Sequence, residues 1–410
     1  MKGFTTKAIH AGSIGRDVHG SLRMPVYDSV AFEQASGRDI QLAFEGRKPA
    51  HTYSRISNPT TEDLEQKILQ LSGGRAALAV ASGMAAISTT ILTLAESGAN
   101  IVTSPHIFGN TLSLFERTLQ PWGLEIRIVS MSDPEEVASA IDSHTSAVFC
   151  ESVTNPLLEV ADCKALSKVT RAKHIPLVMD NTVMTPYLLN SKEAGVDIEI
   201  LSSTKYISGG ATTVGGIIID TGNFDWTHSA KLRSWTKAAG QFAFISALRR
   251  EIYRNIGACM APHNAYLQSL GLETMALRID KSCQNALTLA KFLEKKSQVK
   301  AVDYPGLEHS AYHSIAQQQF NNKFGGLLTI DLASKEACFA FMDAMTIIRR
   351  ATNVNDNKTL IIHPSSTIFS EFSDERKTEL GVRPTMLRLS VGIEDVEDLQ
   401  EDLEKGLGAL

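Results

Sequence analysis

Residues 76–95 read AALAVASGMAAISTTILTLA, twenty positions without a charge. That length could cross a bilayer. Against a span stand Ser82, Gly83, Ser88, Thr89, Thr90 and Thr93, with alanine making up much of the remainder. The stretch divides better at Ser82-Gly83. AALAVAS then reads as a buried strand and GMAAISTTILTLA as a helix, so the window is an element pair of a soluble protein.

The same alternation extends in both directions. Upstream, NPTTEDLEQKILQLSGG predicts a helix opened by the Asn58-Pro59 turn, with Thr60 and Asp63 as a capping box. Leu64, Ile68 and Leu71 share one face of it, and Gly73-Gly74 ends it. Downstream, NIVTS, LEIRIVSM, SAVFCES, IPLVMD, DIEILSS and GGIIID predict strands. DPEEVASAI predicts a helix capped by Asp133 with Pro134 at its first position. Short apolar strands separated by amphipathic helices imply an α/β fold with a mostly parallel sheet covered on both faces.

After about residue 257 the pattern changes. NAYLQSLGLETMALRID and CQNALTLAKFLEKK predict helices, and FGGLLTIDL and TMLRLSVGI predict strands, as in a small antiparallel α+β domain. The first 60 residues have no strong period and carry Pro25, Pro49 and Pro59. The expected organisation is therefore an N-terminal arm over 1–60, an α/β domain over 61–256 and a smaller α+β domain over 257–410.

Composition narrows the function. Lys and Arg total 40 against 45 Asp and Glu, which leaves no basic excess for nucleic acid. The N-terminus lacks the apolar core of a signal peptide, so a cytoplasmic location is expected. Cys150, Cys163, Cys259, Cys283 and Cys338 are odd in number and widely spaced. They suit neither a disulfide framework nor a zinc site, and each is expected as a small buried hydrophobe.

Ligands of such sheets bind beyond the carboxyl ends of the strands, and four polar positions fall there. Ser82-Gly83-Met84 opens a helix whose free N–H groups suit a phosphate, although a plain tight turn would look the same. No GxGxxG or GxxxxGKS pattern supports a nucleotide. Asn155 follows the AVFCESVT strand. Asp180 ends the very apolar IPLVM strand, where its charge needs a cationic partner unless it only caps the next turn. Lys205 follows Ser202-Ser203-Thr204 and is either a surface lysine or a desolvated amine able to form a Schiff base. Together an amine, a carboxylate for a pyridine nitrogen and donors for a phosphate are what a pyridoxal phosphate (PLP) site needs.

The segments HTYSRISNPTTEDLEQKI, VASGMAAI, ESVTNPLLEV, MDNTVMTP, SSTKYISGG and LRLSVGIEDVEDL together resemble the Cys/Met-metabolism group of fold-type I PLP enzymes, in the order of that family and over nearly the whole chain. The resemblance implies that Lys205 carries the cofactor and shuttles protons and that Asp180 pairs with the pyridine nitrogen. It implies that Asn155 contacts the ring hydroxyl. The Gly83 and Met84 amides, with Ser202 and Thr204, would hold the phosphate, and Tyr53 and Arg55 would reach the phosphate of a neighbouring subunit. A homo-oligomer follows, a dimer of dimers in the family's usual form. Arg388 would bind the substrate α-carboxylate, helped by Asn353. The strand pattern agrees, because Leu387, Leu389, Val391 and Ile393 line one face and Arg388 the other.

NVNDNKTLIIHPSST, through Lys358, and GLETMALRID are similar to the sulfhydrylase branch. The implied activity is replacement of the acyl group of O-acetyl-L-homoserine by a sulfur donor to give homocysteine, in methionine biosynthesis. A methionine or cystathionine γ-lyase, a cystathionine γ-synthase and a non-catalytic PLP-binding regulator are the alternatives. Several positions depart from the family pattern. Phe108 stands for a usual tyrosine, and its ring could still stack on the cofactor. Gly210 stands for a histidine, Asn355 for a glycine, and Ile368-Phe369 for a Thr-His pair.

Overall fold

The computed structural model describes residues 3–12 and 19–410. The predicted strands form as β1 (Ala76–Val80), β2 (Asn100–Thr103), β3 (Glu125–Ile128), β4 (Thr145–Glu151), β5 (Leu177–Asp180), β6 (Ile198–Leu201) and β7 (Gly216–Asp220). They make one sheet in the order β1-β7-β6-β5-β4-β2-β3. β7 runs antiparallel to both its neighbours, β1 and β6. The other pairs are parallel.

Both faces of this sheet are buried, and the period of two distributes the side chains between them. From β1, Ala77 and Ala79 join the cluster of Leu64, Ile68 and Leu71 on the helix Pro59–Ser72. Leu78 and Val80 join Ile87 and Ile91 of the helix Gly83–Leu94 on the opposite face. β4 divides likewise, with Val148 and Cys150 to one side and Ala147 and Phe149 to the other. The uncharged window is thus a strand, a turn and a twelve-residue helix. Among the described residues no helix is long and apolar enough to cross a membrane.

A second sheet comprises β8 (Ala301–Asp303), β9 (Leu327–Asp331), β10 (Arg349–Arg350), β11 (Leu360–Ile362) and β12 (Met386–Ser390), in the order β10-β11-β12-β9-β8. Only the β10–β11 pair is parallel.

The structure departs from the sequence reading at several places. The cap of the 59–72 helix is Asn58, whose side chain accepts from the Thr60 N–H at 2.9 Å. Proline at the first helical position fixes that start. Thr60 therefore lies inside the helix, its hydroxyl donating to the Pro25 carbonyl. The 133–140 segment matches expectation, with Asp133 accepting from the Glu135 and Glu136 N–H groups. The C-terminal helices divide at Thr274, into Pro262–Glu273 and Met275–Leu293. The Thr274 hydroxyl accepts from Arg278 at this break. The N-terminal segment is not wholly extended, since Phe4–His10 and Gly37–Phe44 are helical. Four cysteines are buried, but Cys259 is half-exposed.

Candidate active site

β1, β4, β5 and β6 end at one edge of the large sheet, and a cavity of about 680 Å³ lies there. At one end of it the Ser82 hydroxyl accepts from the Ala85 N–H at 3.0 Å and caps the 83–94 helix. That leaves the Gly83 and Met84 N–H groups at the helix terminus. Ser202 lies directly against this turn: a Cβ on Gly83 would sit 2.7 Å from the Ser202 Cβ. Glycine is required by that approach, and the approach sets two amides beside the Ser202 hydroxyl. Thr204 lines the same region, its hydroxyl bridging the Gly215 carbonyl and N–H at 3.2 and 3.0 Å.

Asp180 is the last residue of β5 and a wall of the cavity. It accepts from the Thr182 N–H at 2.9 Å, so it does cap the next turn. The Thr182 hydroxyl also favours the charged form of Asp180 and accepts from the Ser202 N–H at 2.7 Å. Burial nonetheless raises the carboxyl above its ordinary range, against the lowering effect of Thr182 and of Lys205. A cation bound beside it would restore the charged form. Both readings of Asp180, turn cap and cation partner, are compatible.

Lys205 lies in the cavity wall and is not a surface lysine. Burial first, and the Arg388 charge second, lower its amine to about 8, with Asp180 and Asp356 opposing. Its Nζ donates to Asn353 Oδ1 at 2.6 Å. Arg388, central in β12, is 1% exposed and lines the same cavity. Its Nη1 donates to Asn155 Oδ1 at 3.0 Å, and its Nη2 to the Thr352 and Asn353 carbonyls at 3.3 and 3.2 Å. Among the described residues its Nε has no partner. Burial lowers its guanidinium to about 9. Every group it bonds is neutral.

Phe108 also lines the cavity. Tyr53 and Arg55 do not: Tyr53 is 41% exposed, and the Arg55 guanidinium lies 5.5 Å from its ring centroid and bonds the Arg254 carbonyl. Lys358 stays outside too, its side chain largely exposed and 4.0 Å from Asp356. Asn355 has φ 57°, the left-handed conformation that favours the glycine it replaces. Sequence reasoning missed Glu151, Thr182, Val214 and Thr367, which are among the other residues of the wall. Glu151 carried the signal that Asp180 carried, an acid closing an apolar strand.

PLP fits these groups. The helix terminus and Ser202 match its phosphate, the buried Asp180 its pyridine nitrogen, and the lowered Lys205 amine its aldehyde. The cavity and the sheet around it define an α/β enzyme that works through PLP. Comparison with known proteins narrows the class. The chain belongs to the family of Cys/Met metabolism PLP-dependent enzymes, which matches residues 5–408.

O-acetyl-L-homoserine sulfhydrylase 1 of Thermus thermophilus is 38% identical, over 98% of this chain and 99% of its own. Among solved structures, the O-acetylhomoserine sulfhydrylase of the methionine biosynthetic pathway of Wolinella succinogenes is 45% identical. It covers 99% of this chain and 100% of its own, with a TM-score of 0.79. A putative O-acetylhomoserine (thiol)-lyase of Campylobacter jejuni, which carries a pyridoxyl-lysine phosphate, is 33% identical with a TM-score of 0.91, over 98% and 99% of the two chains.

Proposed function

We propose that the protein replaces the acetyl-ester oxygen of O-acetyl-L-homoserine with sulfur, yielding L-homocysteine and acetate, as a cytoplasmic homo-oligomer. The observation that carries this is Arg388. A buried guanidinium with only neutral partners and an unpaired Nε is costly, and an incoming carboxylate offsets that cost. An α-amino acid supplies the carboxylate. The names of the relatives supply the ester and the sulfur.

In this reading Lys205 carries the cofactor and Asp180 holds the proton of the pyridine nitrogen. Gly83, Met84, Ser202 and Thr204 bind the phosphate, and Phe108 stacks on the ring. Asn155 offers its amide N–H₂ to the ring hydroxyl, since its oxygen accepts from Arg388. PLP, when bound, supplies an electron-withdrawing ring conjugated to the substrate nitrogen. Arg388 and Asn353 would orient the substrate so that its Cα–H faces the Lys205 amine, which would take the α proton once the substrate's own nitrogen has displaced it from the cofactor. A β proton then leaves, the Cγ–O bond breaks with its electron pair leaving on acetate, the Cγ–S bond forms to the sulfur donor, and protons return to Cβ and Cα. Phe108 has no hydroxyl, so Lys205 and water carry the proton traffic. Tyr53 and Arg55 of the 1–60 arm serve a neighbouring subunit's phosphate, while 61–256 and 257–410 are the cofactor and substrate-anchoring domains.

The test is to incubate the holoenzyme with O-acetyl-, O-succinyl- and O-phospho-L-homoserine, with and without sulfide. Homocysteine from the acetyl ester, dependent on sulfide, is expected. Abundant α-ketobutyrate from methionine or cystathionine without sulfide would make it a γ-lyase. No turnover of any of these would leave a cofactor-binding regulator.

A further inference from the structure

Glu151 closes β4 directly beside Asp180, its register partner on β5. It is 6% exposed, and its wall of the cavity adjoins that of Asp180. Burial and the neighbouring Asp180 charge push its carboxyl well above the ordinary range. Among the described residues it forms no ion pair. An apolar side chain would fill this place at lower cost, so the carboxyl group must do something that volume alone does not.

What it does is accept. Its Oε1 takes the Phe108 backbone N–H at 2.7 Å, and the backbone N–H of Asn155 lies close enough to the same carboxyl to favour its charged form. These amides belong to separate segments, one after β2 and one after β4. Each presents one cavity residue, the Phe108 ring and the Asn155 amide. Asn155 in turn holds Arg388 at 3.0 Å. One buried side chain thus fastens the Phe108 loop and adjoins the Asn155 turn, which in turn bonds the guanidinium carried on β12 of the other sheet.

We propose that Glu151 is a positioning residue, which fixes the Phe108 ring and the Asn155 amide against the cofactor and, through Asn155, sets Arg388 for the substrate carboxylate. This rests on the PLP site described above. It requires an acceptor oxygen at position 151 and no transferable proton.

The test compares Glu151→Gln, which keeps an acceptor oxygen, with Glu151→Leu, which removes it. Apo protein is titrated with PLP alone, followed by its absorbance and visible circular dichroism. Glu151→Leu should bind PLP about tenfold more weakly, as expected for a buried amide left unpaired. It should also alter the dichroic band and raise KM for the amino acid more than it lowers kcat. Glu151→Gln should restore affinity, band and KM, and leave the pH profile of kcat unchanged.

The proposal is overturned if Glu151→Gln is as defective as Glu151→Leu, or if Glu151→Leu binds PLP like the wild type. Should Glu151→Leu not fold, amide hydrogen exchange in the wild type decides: Phe108 and Asn155 N–H groups should both be protected, and fast exchange at either overturns the proposal. A wild type that binds no PLP would instead sink the cofactor reading. The exchange measurement would still judge Glu151.

Discussion

Burial and the Arg388 charge lower the Lys205 amine to about 8, with Asp180 and Asp356 opposing. Only the neutral amine attacks an aldehyde. The apo protein should therefore capture PLP faster as pH rises through about 8, and level off above it. Stopped-flow absorbance on mixing apo protein with PLP checks this. A rate that does not change across that range would mean that the amine is not desolvated as described. Asp180 and Arg388 were legible in the sequence because each ends or interrupts an apolar strand, where a charge needs a reason, and Lys205 because it follows one after three hydroxyl residues. Glu151 has the same signature in SAVFCES and was passed over, because no cofactor atom in the expected site asks for a second acid. Its bonded partner is a backbone amide of the loop after β2, and sequence does not reveal which amides a loop brings near. Asn353 was expected at the substrate carboxylate, but in the structure it also holds the Lys205 amine.

The phosphate end depends on how closely one helix start approaches one strand end. Gly83→Ala would place a methyl 2.7 Å from the Ser202 Cβ. The helix must then move, because both neighbours are backbone-anchored. PLP affinity should fall by about tenfold or more, as for a lost charge-assisted contact set, while the Pro59–Ser72 helix and the sheet keep their packing. Equilibrium titration with PLP, alongside a thermal melt, separates the two effects. An affinity equal to the wild type would show that the close approach is not needed. Every strand of the large sheet was readable from its apolar run. β8, β10 and β11 were not, since two or three residues give no period to detect. The cap at Asn58 was missed because Asn, Thr and Asp all stand near the helix start, and side-chain geometry chooses among them.

Tyr53 and Arg55 lie outside their own chain's cavity, which leaves the phosphate short of an arginine unless another subunit supplies it. Mixing Lys205→Ala with Arg55→Ala protein, each inactive alone, should then restore activity on subunit exchange. In a randomly mixed dimer about one site in four regains both groups. No recovery after verified exchange would place Arg55 outside the site.

The order of the large sheet has a further consequence during synthesis. β1 is the first strand to be made, and it is an edge strand whose one neighbour in the sheet, β7, is the last. Until residue 220 has been made, AALAV has no sheet neighbour to pair with, and the helix that follows lacks part of the sheet it covers. An unpaired apolar strand on a growing chain is a template for association with other chains. The segment that could be mistaken for a membrane span is therefore also the one most in need of a chaperone's cover while the ribosome finishes the sheet.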